Sequence, residues 1–157
     1  MTEAPRWLND TELDAWLPLG GLLLRLPAAL DAQMQRDSGL SHFEYLVLAT
    51  LSEAPDRTRR MSALAALASG SLSRLSHVVK RLEQRGWVRR TPCPGDGRYT
   101  NAVLTESGWQ KVKSSAPGHV EAVRTLVLDV LTPDELAELG GFARRILARL
   151  DDDPAAS

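Results

Sequence analysis

The stretch SLSRLSHVVKRLEQRGWVRRTPCPGDGRYTNAVLTESG, residues 71–108, decides the fold. Leu72, Leu75, Val78, Val79 and Leu82 recur at helical spacing and predict a helix with one face turned to a core. Ser73, Arg74, Ser76, His77, Lys80 and Arg81 fall on the other side, and Ser71 is placed to cap the helix. Beyond Gly86 the pattern changes. Val88 to Thr91 and Asn101 to Leu104 are strand-like, and Pro92, Pro94, Gly95, Asp96 and Gly97 between them are turn formers. Arg98 follows that turn. An outward face of small polar and basic residues, followed by a basic-tipped hairpin, is what a winged helix-turn-helix requires. The helix lies in a major groove and the hairpin reaches the backbone or minor groove alongside.

Working outward, the charge is segregated. The whole chain of 157 residues has a formal net charge of −1, which gives no hint of nucleic acid. Between Arg57 and Thr100, however, ten basic residues face only Glu83 and Asp96. One basic face and an acidic remainder suit a protein that presents a single surface to phosphate; a solvated charged surface without a partner is the plainer alternative. The length fits one domain with a real core. Cys93 is the lone cysteine, so no internal disulfide forms and a cytoplasmic setting is expected. His42, His77 and His119 are scattered without metal spacing, and neither a phosphate loop nor a nucleophile elbow is present. No enzyme activity, metal or cofactor is expected. The apolar stretch Leu17 to Leu30 is interrupted by Pro18, Gly20, Gly21, Arg25 and Pro27, and reads as too short and broken to cross a membrane.

The flanks read as helices. The first is expected from Thr11, with Asp14 in its first turn, to about Asp37, bent or split by Pro18 and Pro27 and ended by Gly39. Its leucines and Trp16 cover more than one face and need another surface to cover them. Ser41 and Glu44 form a capping box for a helix that stops at Pro55. Met61 is expected to form a single rung beside the wing, Ser62 to cap a short helix over 63–68, and Ser69-Gly70 to make the turn. Thr105 caps a further helix that Ala116-Pro117-Gly118 should kink or interrupt. Thr132-Pro133-Asp134-Glu135 opens the last one, and the tail from Asp151 to Ser157 is expected to be disordered.

Asp96-Gly97-Arg98, five residues, then Leu104-Thr105-Glu106-Ser107-Gly108 resembles the D-x-R-x5-L-T-x-x-G wing signature of MarR-type transcriptional regulators. Ser73-Arg74-Leu75, Arg81-Leu82-Glu83 and Arg85-Gly86-Trp87-Val88 are similar to that family's recognition helix and the start of its wing. The resemblance implies a mainly α protein with a small β-hairpin wing. It would form one domain over 1–157, with a winged helix-turn-helix lobe at 41–104 between dimerisation helices at 11–37 and 105–150. It also implies a homodimeric, ligand-responsive repressor of a pseudo-palindromic operator in double-stranded DNA. A winged-helix module for protein interaction or sensing, without specific DNA binding, is the alternative.

The DNA-facing candidates are Ser71, Ser73, Arg74, Ser76, His77, Lys80, Arg81 and Arg98. Arg98 at a hairpin tip has no apolar body to cover, so phosphate or minor-groove contact explains it best. Arg74 suits bidentate contact with guanine, or a surface ion pair. Lys80, Arg81 and Arg85 suit phosphates, or form a solvated helix face. Ser71 is equally explained as a cap. Asp96 is read as bracing the wing through Arg98, a pairing the resemblance also implies. Trp16, His42 and Tyr45 are candidates for a site between the dimerisation helices and the lobe, where such regulators bind phenolic or other small aromatic effectors; core packing explains the same residues. Trp87 and Trp109 are read as core, and Cys93 as a loop residue outside the place where cysteine sensors of this family sit.

Overall fold

The computed structural model describes residues 5–68 and 71–152. Helix α1 spans Asp10–Ser38, and its cap is Asn9 rather than Thr11. Asn9 Oδ1 accepts the Glu12 amide and Glu12 accepts the Asn9 amide, so one box satisfies two free donors. Neither proline splits the helix: α1 is a single element of 29 residues. By length and composition it is long enough and apolar enough to cross a bilayer, contrary to the expectation from its interrupted sequence. Gly39 closes it in the left-handed region, φ 64°, where a side chain would be strained.

Helix α2, His42–Ser52, opens on the Ser41–Glu44 box. Strand β1 is Thr58–Arg60, and Met61 is buried as the first residue of α3, Met61–Ala65. The expected single rung is therefore a three-residue strand, and Ser62 lies inside the helix instead of capping it. Ser69 and Gly70, read as the turn, lie outside the described residues. Helix α4, Leu72–Gln84, begins at Ser71, whose Oγ accepts the Arg74 amide. Strands β2, Val88–Cys93, and β3, Asp96–Leu104, form the wing. They are longer than the sequence suggests because β2 is an outer strand, where Pro92 lacks nothing that the sheet needs. The sheet runs β1-β3-β2, all antiparallel, with Thr58 opposite Val103 and Val88 opposite Leu104.

Helix α5 runs unbroken through Pro117 from Glu106 to Val123, so the expected interruption there is absent. The irregularity comes about two turns later, as a π-helical segment over Arg124–Leu128. Helix α6, Pro133–Asp151, starts on the Thr132–Glu135 box. Asp151, expected to begin a disordered tail, is the last residue of this helix and Asp152 its cap; the chain beyond 152 lies outside the described residues.

The core sits in the lobe. Met34, Leu40, Leu48, Leu51, Leu64, Leu75 and Leu82 are fully buried there, each leucine contributing about 2 kcal/mol of transfer free energy. Leu72 departs from the predicted apolar face and is half exposed, being the first residue of its helix. Away from the lobe the balance reverses: Leu17, Leu23 and Leu24 on α1 and Phe142, Ile146, Leu147 and Leu150 on α6 are all exposed.

Candidate nucleic-acid interface

Burial of Leu75, Val78, Val79 and Leu82 fixes the rotation of α4. That rotation leaves Ser73, Arg74, His77, Lys80 and Arg81 exposed on one side, with Ser71 at the cap and Ser76 half-buried. Ser76 lines a hollow with Arg90, Arg98, Tyr99 and Thr100. The outward face of α4 and the wing thus form one continuous surface. Arg74, His77 and Arg81 line a second hollow with Phe43, over whose ring the Arg74 guanidinium sits at 5.0 Å.

At the wing tip Asp96 holds Arg98 by three contacts. Arg98 donates its amide and Nε to Asp96 Oδ1 at 3.2 and 3.0 Å, and Nη2 to Oδ2 at 2.9 Å. These bonds hold the Asp96 carboxyl below its ordinary pKa and raise that of Arg98, so both stay charged. The Arg98 side chain remains 86% exposed. It is oriented without being consumed: bidentate pairing fixes the fork while its outer edge faces solvent.

Several other cations of the basic stretch are already engaged. Arg81 donates Nε to Glu44 Oε1 at 3.0 Å; that buried carboxylate also caps α2 through the Ser41 amide at 2.8 Å. Arg81 therefore ties α4 to α2 as well as facing outward. Arg90 is clasped by Glu83, through its amide at 3.0 Å and Nε at 2.8 Å, which joins α4 to β2. Arg60 lies over the Tyr99 ring at 4.9 Å and carries β1's charge onto the wing face. The Arg60–Tyr99 stack is absent from the sequence reading because only the β1–β3 register brings the two strands together.

The proposed effector residues divide. His42 and Tyr45 meet at the junction of α1, α2 and α5, with a third ring, His119, that the sequence reading missed. His119 lies 5.3 Å from His42 and 4.7 Å from Tyr45 between ring centroids. Trp16 does not join them through its own helix. Asp31, which accepts the His42 amide at 2.8 Å, is fifteen residues further along α1, about 22 Å at the helical rise. His119 Nδ1 is buried in this cluster without a hydrogen-bond partner, as are Gln33 Oε1 on α1 and Ser115 Oγ four residues earlier on α5. Among the described residues no group of three metal-ligating side chains occurs.

Desolvation holds the His42 imidazole below its ordinary pKa, partly countered by Asp31; desolvation and then the charge of His42 do the same to His119. The unfolded chain therefore takes up protons at a pH where the folded protein still resists them. Stability is intact above the ordinary imidazole pKa and is lost as pH falls toward the folded values. Lowering the pH from about 7.5 to about 5.5 should reduce the melting temperature more in the wild type than in a His42→Gln/His119→Gln variant. Equal reductions in thermal melts of the two would assign the acid sensitivity elsewhere.

Comparison with known proteins agrees with this geometry. A family model described as MarR family matches residues 40–100. The HTH-type transcriptional regulator PecS of Dickeya dadantii is 34% identical over 136 residues, covering 82% of this chain and 78% of that protein. A MarR family transcriptional regulator from Streptomyces coelicolor, solved in complex with DNA, superposes with a TM-score of 0.91 at 43% identity, covering 98% of this chain and 96% of the other. AbsC, a MarR family regulator from the same organism, superposes with a TM-score of 0.89 at 38% identity, covering 95% and 100%.

Proposed function

Because this chain belongs to the MarR family and is a DNA-binding transcriptional regulator, we propose the finer reading that it is a homodimeric repressor of a pseudo-palindromic operator, released by a small aromatic or phenolic effector. The observation that carries the DNA reading is the hollow that Ser76 on α4 shares with Arg98 on the wing. Residues 71, 73, 74, 76 and 77 occupy the first turns of the recognition helix and read base edges, while Lys80 and Arg98 engage phosphates or the minor groove. A winged-helix module without DNA binding would have no use for an oriented, solvent-facing Arg98.

Dimerisation is supported by the surplus apolar surface. Leu17, Leu23 and Leu24 on α1 and Phe142, Ile146 and Leu147 on α6 are large apolar side chains left exposed, surface of the kind a partner covers. A second copy laid on these faces accounts for α1 without a bilayer, consistent with action in the cytoplasm. Two recognition helices would then enter successive major grooves, with half-site centres about one helical turn apart. The effector reading rests on the ring cluster of His42, Tyr45 and His119 and on the unpartnered His119 Nδ1 within it, which a ligand with an aromatic face and a polar edge would satisfy. Derepression follows if that ligand binds better to a dimer whose helices have lost the operator spacing.

The test is selection of duplexes from a random library by the purified protein, followed by anisotropy titration of the winner against excess competitor at two salt concentrations. Saturable binding that survives competitor, to a sequence with two-fold symmetry, is expected. Sedimentation at micromolar concentration should show a dimer. A monomer, or binding abolished by competitor, would remove the operator reading.

A further inference from the structure

Trp87 stands where three elements end or begin. Its amide donates to Leu82 O of α4 at 3.0 Å, and its carbonyl accepts the Thr105 amide at the start of α5 at 3.0 Å. Two cations lie against its ring, the Arg85 guanidinium at 5.0 Å and Lys111 Nζ at 5.3 Å. Both reach past the indole to the carboxyl end of α1. Arg85 donates Nη1 to Gly39 O at 2.9 Å, and Lys111 donates Nζ to Ser38 O at 2.7 Å. The final carbonyls of a helix carry its negative dipole end and lack partners within it, so cations are favoured there. Two like charges on one ring repel each other; the α1 carbonyls between them offset that repulsion.

We infer that Arg85 and Lys111, gathered on Trp87, clamp the end of α1 to the end of the recognition helix, and so set the spacing at which two copies read DNA. Arg85 is thus a positioning residue rather than a phosphate contact, although its charge and place in the sequence suit the latter. The inference rests on the homodimeric reading above. Its leverage comes from length: α4 is held at its carboxyl end, while its base-reading residues lie at the other. A rotation of about 10° at the clamp displaces that far end by about 3 Å over a helix of this length. Such a shift is comparable to the rise of one base pair, enough to spoil register with a fixed half-site.

The test compares Arg85→Ala, Lys111→Ala and, as a phosphate-contact control, Lys80→Ala. Each is titrated on a random-sequence duplex over a range of salt, and on the selected duplex with its half-sites at the selected spacing or one base pair further apart. Lys80→Ala should flatten the salt dependence of binding by about one ion per subunit. Arg85→Ala and Lys111→Ala should leave that slope unchanged. They should lose about fivefold to tenfold in affinity at the selected spacing, and discriminate less against the altered one. Far-ultraviolet circular dichroism shows that each variant is folded at the assay temperature. A slope reduced by Arg85→Ala as much as by Lys80→Ala would make Arg85 a DNA contact and overturn the proposal. Unchanged affinity and unchanged discrimination would overturn it equally. If selection returns no preferred duplex, the operator reading fails, while the slope on random DNA still decides whether Arg85 touches phosphate.

Discussion

Replacing Gly108 with alanine is expected to destabilise the protein by about 3 kcal/mol, although it puts a better helix former into a helix. Gly108 lies in the first turn of α5 and is buried. A β-carbon there would stand 2.1 Å from Trp87 O and 2.7 Å from Leu104 Cδ1. The first of these is backbone, already accepting the Thr105 amide, and has no rotamer through which to escape. The only relief is to lift α5 away from the turn after α4, which stretches the Thr105–Trp87 bond and draws Leu104 from the core. Intrinsic propensity returns at most about 1 kcal/mol in alanine's favour. The expected fall in melting temperature is about 10 °C, read by thermal or urea unfolding. An unchanged midpoint would mean that α5 slides without loss, and that its contact with Trp87 does not fix the lobe.

This close approach also explains part of a motif that the sequence displayed without its reason. Of the residues Leu104-Thr105-Glu106-Ser107-Gly108, the threonine was legible as a cap. Its Oγ1 accepts the Gly108 amide at 3.0 Å and donates to Gly86 O at 2.7 Å. The glycine was not legible, because the atom that requires it lies twenty-one residues earlier in the chain. The rotation of α4 could be read from its leucines and valines, since burial of one face is a local periodic signal. The prolines misled for the opposite reason. Pro18, Pro27 and Pro117 each remove one donor, yet the rest of a long helix is cooperative, and the elements run through them. Pairings across elements, such as Arg81 with Glu44 and Arg85 with Gly39 O, depend on packing that no local pattern encodes. Hence the concentration of basic charge was legible in the sequence, while which of its cations the scaffold engages was not.

Because so many of these cations are held by the scaffold, Arg98→Ala is the most informative change on the proposed DNA face. The Arg98 side chain is 86% exposed, so its loss should change stability by no more than about 0.5 kcal/mol. In a dimer each operator meets two wings, so affinity should fall about tenfold to a hundredfold, and the salt dependence by about two ions. Asp96→Ala separates orientation from charge. It frees the Arg98 fork but leaves the cation, so the salt slope should persist while affinity falls by a smaller factor, that of re-ordering one side chain. If Asp96 acts only through Arg98, the double variant should bind no worse than Arg98→Ala alone, because the carboxylate has nothing left to orient. A double variant markedly weaker than Arg98→Ala would show that Asp96 shapes the turn independently, through the backbone amide it accepts from residue 98. An Arg98→Ala protein that binds with wild-type affinity and slope would place the wing off the DNA. The hollow shared by Ser76 and Arg98 would then be a feature of packing rather than of recognition.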